Sequence, residues 1–266
     1  MKVLQILPQL NIGGVERGTL DLSKALIHKG HQSFVISGGG VLVDELTQCG
    51  AKHYEIPVHI KSLRTLSLAK RLSETISYIE PDIVHVRSRM PAWVNYRAFK
   101  MLQKKPLLVS TFHGLYSFPI YSKVMSFVDH SIAISKTVER YILENYKLDK
   151  GDITVIPRGC DPLEFNNEVI NPVDKANIIE EFPQIVGKKV LTIPGRITKW
   201  KGVAEFIDLL SLLDDNYHGL VVGPTAKSKK KYLNKLRYKV SSLNLEDKIT
   251  FTCLLYTSDA ADDWSS

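Results

Sequence analysis

Apolar positions along the chain fall into short runs rich in β-branched residues, separated by longer stretches in which apolar residues recur every three or four positions. The short runs lie at 3–7, 33–37, 83–86, 107–111, 131–134 and 153–156, with amphipathic stretches between most of them. Alternation of this kind predicts βαβ units around a parallel sheet. Several runs are apolar at nearly every position, as required of strands covered by helices on both faces. A doubly wound, Rossmann-like α/β domain is therefore expected over residues 1–170.

An irregular stretch with Pro157, Gly159, Pro162 and Pro172 follows, the composition of a crossover or boundary. The rhythm then restarts. Strands are expected at 189–193, 219–222 and 249–252, with a helix at 203–213 whose Val203, Phe206, Ile207, Leu210 and Leu213 share one face. A basic amphipathic helix is expected at 228–243. Residues 171–252 thus read as part of a second Rossmann-like domain. Residues 253–266 have no periodicity, and the string CLLYTSDAADD resembles a translated sequencing adapter, so they are expected to be a non-native tail. The second domain would then be incomplete.

Composition narrows the function classes. At 44% hydrophobic and 24% charged, the 266 residues suit a soluble globular protein. No apolar run approaches the roughly 18 residues that span a bilayer, and the first ten residues do not read as a signal peptide, so a cytoplasmic location is expected. Cys49, Cys160 and Cys253 are scattered, which argues against a disulfide framework or a zinc site. The formal net charge of +7 favours an anionic partner: nucleic acid, a phosphorylated substrate or membrane headgroups. Nucleic acid is the weakest of these, because no recognised motif occurs and no aromatics interleave the basic runs.

Ligands of a doubly wound sheet bind beyond the C-terminal strand ends, so the loops there hold the candidate chemistry. After the first run comes Asn11-Ile12-Gly13-Gly14-Val15-Glu16-Arg17, where two glycines and the free N–H groups of a helix start suit a phosphate or a sugar hydroxyl. A tight turn would look the same. The loop is neither a dinucleotide fingerprint nor a P-loop. Thr111-Phe112-His113-Gly114 places a histidine beyond an apolar strand, able to bond a sugar or stabilise a reacting centre. His85, inside a strand, reads as structural. In Pro194-Gly195-Arg196-Ile197-Thr198-Lys199-Trp200-Lys201-Gly202, Arg196 and Lys201 flank a helix N-terminus, an arrangement fit to neutralise a diphosphate leaving group. Gly223, in Val222-Gly223-Pro224, could line the same site.

The ordered series GGVERGTLDLSKALIHKGH, TFHG, IAISKTVERYI, VIPRGCDPLEF and PGRITKWKGVAEFIDLL, spanning residues 1–252, closely resembles the retaining GT-B glycosyltransferases of family 4. RSRMPAW at 87–93 and the KW of TKWKG resemble the branch that adds sugars to lipopolysaccharide core. The resemblance implies two Rossmann-like domains facing each other across a cleft, with the acceptor on the N-terminal side. The nucleotide-diphosphate sugar would be a co-substrate held on the C-terminal side, with no cofactor and no structural need for a metal. It places Gly13 and Gly14 near donor phosphate and acceptor, His113 near the transferred sugar, and Arg196 and Lys201 on the diphosphate. Glu16, Ser135, Arg158, Asp161 and Gly223 are secondary candidates. A glycan or lipid-linked acceptor would give the basic surface, including Lys61, Arg64, Lys70 and Arg71, a use in peripheral contact with an anionic membrane. A solvated helix face accounts for those residues equally well.

The family's Glu-x7-Glu element, which holds the donor, is expected beyond the third strand of the second domain and does not occur after Thr252. This chain is therefore expected to have little or no transferase activity. The alternative is a non-catalytic sugar-nucleotide or phosphate-binding protein on the same fold.

Overall fold

The structure, a computed structural model, describes residues 1–60, 67–116, 119–160, 162, 172–225 and 230–252. Lys61, Arg64 and Asp161 lie outside the described residues, as does the expected tail 253–266. The chain divides into two compact units, Met1–Cys160 and Asp161–Ser266. A boundary after residue 170 is expected from the sequence, and 163–171 lie outside the described residues.

The first unit runs β1 (Lys2–Ile6), α1 (Gly14–His28), β2 (Gln32–Ser37), α2 (Val43–Gln48), β3 (Lys52–Glu55), α3 (Ala69–Ile79), β4 (Ile83–Val86) and α4 (Arg89–Phe99). It continues through β5 (Leu107–Phe112), α5 (Pro119–Ser122), β6 (His130–Ala133), α6 (Lys136–Asn145) and β7 (Ile153–Val155). The seven strands lie in the order β3-β2-β1-β4-β5-β6-β7, and every pairing is parallel. The chain starts in the middle, lays β2 and β3 to one side, then crosses back to lay β4 to β7 on the other. Strand order therefore reverses between β1 and β4, and the strand ends flanking that reversal are where such a sheet leaves room for a ligand.

Alternate strand residues feed opposite faces. Leu4, Ile6, Phe34, Ile36, Val84 and Val86 pack with Leu72 and Ile76 of α3 and Ala98 of α4. Val35 enters a second cluster with Leu20 of α1 and Leu46 of α2, joined by Leu7 and Leu10 from the loop after β1. Each such side chain contributes about 1.5–3 kcal/mol on full burial. On the α1 side the centre of the sheet is not apolar, because Gln5, His85 and Thr111 are buried there.

The sequence pattern predicts six of these strands and omits β3. Its residues, Lys-His-Tyr-Glu, are only half-buried or exposed, and the strand pairs with β2 alone at the sheet edge. Polar edge strands carry little hydrophobic signal, since charge there blunts pairing with other chains.

The second unit holds α7 (Pro172–Glu181), β8 (Lys189–Pro194), α8 (Val203–Ser211), β9 (Tyr217–Val222), α9 (Lys230–Ser242) and β10 (Ile249–Phe251). Its described strands are parallel in the order β10-β9-β8. Val203, Phe206, Ile207 and Leu210 of α8 meet Leu233, Leu236 and Val240 of α9 in one core. Lys230, Lys231, Lys235 and Arg237 of α9 are exposed, while half-buried Lys239 reaches back to α8, donating to Ala204 O at 3.0 Å and pairing with Asp208 at 2.6 Å. Helix α7 buries no residue, which explains why no amphipathic pattern announces it. Pro172 at its first position is compatible with a helix start, because that N–H has no intrahelical partner.

Candidate functional site

The polar chemistry of the first unit gathers where β1, β4 and β5 end. Helix α1 begins at Gly14 with Gly13 as its N-cap and no side chain capping its N–H groups. Gly13 is extended, with φ 179°, a conformation open to any residue, and a Cβ there would meet only the far end of the flexible Glu16 side chain, which turns back over the helix start. The free N–H groups and the helix dipole favour an anion at this point.

His113 follows β5 and is mostly buried, and its imidazole pKa is pushed down to about 3, first by burial and then by the charges of Arg87 and Arg158. At neutral pH it is uncharged. Arg158 Nη2 lies 3.1 Å from His113 Nδ1. A guanidinium can only donate, so Nδ1 accepts and the ring proton sits on Nε2. That Nε2 is buried and has no partner among the described residues. The histidine is thereby set up as a neutral hydrogen-bond donor, with its basic nitrogen occupied. Arg158 also donates through Nη1 to the carbonyl of Gly14, tying the end of the first unit to the start of α1.

Three further residues complete this region. His85 is buried, bonds Thr111 Oγ1 at 2.7 Å, and is held neutral by burial and by the neighbouring Arg87 and His113. Arg87, directly after β4, donates to Gln5 Oε1 at 2.7 Å. Ser135 caps α6, its hydroxyl accepting the N–H of Val138 at 3.2 Å.

Arg196, Lys201 and Gly223 belong to the second unit. The loops after β8 and β9 are joined by Gly195 N–H to Val222 O at 2.8 Å and Ile197 N–H to Pro224 O at 3.0 Å. Gly223 has φ +150°, and a side chain on it would strike the carbonyl of Gly195, so this approach requires glycine. The stem of Lys201 folds over Gly195, within 3.3 Å of where a Cβ would stand. Arg196 is exposed on the same loop, and α8 starts two residues beyond Lys201. The described site candidates thus form two groups: Gly13, Gly14, Glu16, His113, Ser135 and Arg158 in the first unit, and Arg196, Lys201 and Gly223 in the second. Arg87 belongs with the first group, and its position just past an apolar strand, like that of His113, was the signal that could have marked it. Among the described residues, no group of three or more His, Cys, Asp or Glu gathers in a way that could hold a metal.

Two Rossmann-like units with charged loops at their strand ends place the fold in the GT-B class of glycosyltransferases. Within that class the chain belongs to Glycosyltransferase Family 4, which matches residues 12–163. A solved glycosyltransferase from Rickettsia africae is 33% identical, with a TM-score of 0.78 over 94% of this chain and 67% of that one. Anabaena HepE, solved with UDP and glucose, shares the fold at 18% identity and a TM-score of 0.78, over 95% of this chain and 69% of that one. An uncharacterised glycosyltransferase of Methanocaldococcus jannaschii is 31% identical over 167 residues, 54% of this chain. The chain spans 41% of that relative's length.

Proposed function

We propose that the protein moves a hexose from a nucleotide-diphosphate sugar to a glycan or lipid-linked acceptor of the lipopolysaccharide-core kind, with retention of anomeric configuration. The observation that carries this reading is the cradle of Gly195, Arg196 and Lys201 at the approach to α8. A transfer of this kind breaks the bond between sugar C1 and a diphosphate oxygen and joins C1 to an acceptor oxygen. The acceptor's proton leaves with the diphosphate. Two cations and a helix N-terminus offset the charge that grows on that leaving group. His113, neutral and with Nδ1 occupied, would serve as a hydrogen-bond donor to the sugar through Nε2–H and would not carry the proton.

RSRMPAW and the KW of TKWKG support the lipopolysaccharide branch. The UDP complex of Anabaena HepE makes UDP-sugars the first donors to try. Exposed Lys70 and Arg71 fit contact with an anionic bilayer from the cytoplasmic side. No described helix is long and apolar enough to cross a membrane.

The test is to incubate the purified protein with a panel of nucleotide sugars and acceptors, following nucleoside diphosphate release and the anomeric configuration of the product by NMR. This chain, with no Glu-x7-Glu element after Thr252, should bind a nucleotide sugar with little or no turnover, and any transfer seen should proceed with retention. Failure to bind any nucleotide sugar, or transfer with inversion, would reject the proposal.

A further inference from the structure

Arg87 is more deeply enclosed than any role in the donor cradle requires. It stands at the strand-order reversal, immediately after β4, and is only 6% exposed. Its Nη1 is held from behind by Gln5, whose own amide donates to Thr19 O at 3.1 Å and Ser23 Oγ at 3.0 Å in α1. Its Nε is buried with no partner among the described residues. Its Nη2 faces the first turns of α1, where a Cβ on Gly18 would lie 3.2 Å away. Arg158 reaches the same point from the end of the first unit, with Nη1 3.6 Å from that Gly18 position.

Two guanidinium groups side by side repel one another. Burial and the charge of Arg158 together pull the Arg87 pKa down to about 10, with Glu16 and Asp21 opposing. Those acids do not neutralise the pair. The Glu16 carboxylate is folded over Gly13, and Asp21 lies 3.5 Å from Arg17. Among the described residues, neither Arg87 nor Arg158 forms an ion pair. A buried guanidinium with an unused donor is costly unless something binds it. Two guanidiniums that converge beside α1, whose first N–H groups no side chain caps, supply the charge that recognises a phosphoryl group.

We propose that Arg87, Arg158 and the first turn of α1 form a subsite for a phosphoryl group carried by the acceptor, which makes the acceptor a phosphorylated one. The assignment to the acceptor rests on the function proposed above, in which Arg196 and Lys201 of the other unit take the donor's diphosphate. A second pair of cations then answers to a second anion. Unpaired Nε2–H of His113, beside Arg158, lies within the same polar cluster and is available to the bound group or to the sugar.

The test uses inorganic phosphate and UDP as probes of the full chain, by titration calorimetry at fixed ionic strength. With Lys201→Ala removing the donor cradle, phosphate should still bind, and adding Arg87→Gln should weaken it at least tenfold. Arg87→Gln alone should leave UDP affinity within about twofold, a cation being irrelevant to a ligand it does not touch. Should Arg87→Gln not fold, Arg158→Gln, at an exposed position, must show the same pattern. Absence of phosphate binding in the Lys201→Ala chain, or phosphate binding indifferent to both arginines, overturns the subsite. Equal loss of UDP and phosphate overturns it too, since the pair would then belong to the donor. If the parent chain fails to bind UDP while the phosphate pattern holds, it is the donor assignment that has failed.

Discussion

Arg158 donates to the Nδ1 of His113 across 3.1 Å, and this one contact sets which ring nitrogen of the histidine carries the proton. The residues are 45 positions apart in sequence. Their meeting depends on β5 and β7 ending at the same edge of the parallel sheet, with Arg158 reaching back over α1.

Arg158→Gln should therefore raise the pKa of His113, because a nearby positive charge and the donor to Nδ1 are both lost. Burial and Arg87 still hold it below an ordinary histidine. NMR titration of ring-labelled histidine reads this directly, and an unmoved His113 resonance would show that the contact does not persist in solution. Transferase activity, where present, should fall about tenfold, the scale of one lost hydrogen bond of roughly 1.4 kcal/mol.

Stability should decline as the pH falls below about 6.5, the ordinary histidine value. His85 and His113 stay neutral in the folded chain but take up a proton when unfolded. The unfolded state binds more protons across this window, so stability rises with pH up to 6.5 and levels off above it. Each histidine kept neutral costs about 1.4 kcal/mol per pH unit below 6.5. Denaturant melts between pH 5 and 7 measure the slope, and His113→Asn should make it shallower. An identical slope in the variant would contradict the assignment.

Gly223→Ala should destabilise the second unit by about 1–3 kcal/mol, from φ +150° combined with a collision at the Gly195 carbonyl. Gly30 has φ +74° and open space around its Cβ position. Gly30→Ala should cost about 1 kcal/mol, for backbone strain alone. Thermal unfolding of the two variants side by side separates strain from contact.

Lys201→Ala should weaken nucleoside diphosphate binding about tenfold or more, the scale of one charge-assisted hydrogen bond of roughly 1.5–3 kcal/mol. Lys199→Ala should do much less, because only the Lys201 stem is folded over Gly195. Calorimetric titration with UDP decides, and equal affinities for the two variants would remove Lys201 from the diphosphate site.

Most of the framework was legible along the chain. Runs such as Ile83–Val86 and Leu107–Phe112 are apolar at most positions, as strands covered by helices on both faces usually are. The stripe of Val203, Phe206, Ile207 and Leu210 announced α8 because one helical face must be dry. His113 and Arg158 could be picked out as candidates because they follow apolar strands, where a doubly wound sheet exposes its loops. Local signals stop there. β3 and α7 bury too little to leave a pattern. Arg87 carries the same strand-end signal as His113, but nothing local in the sequence shows that its charge is buried. Only the parallel registry of β1 with β4 brings it onto Gln5, and only the return of the chain to α1 sets Arg158 beside it. Periodicity is a property of neighbours a few residues apart, whereas a buried charge is defined by contacts between distant segments. The sequence therefore determined the layers and the ends of the strands, and the tertiary structure decided which charges meet there.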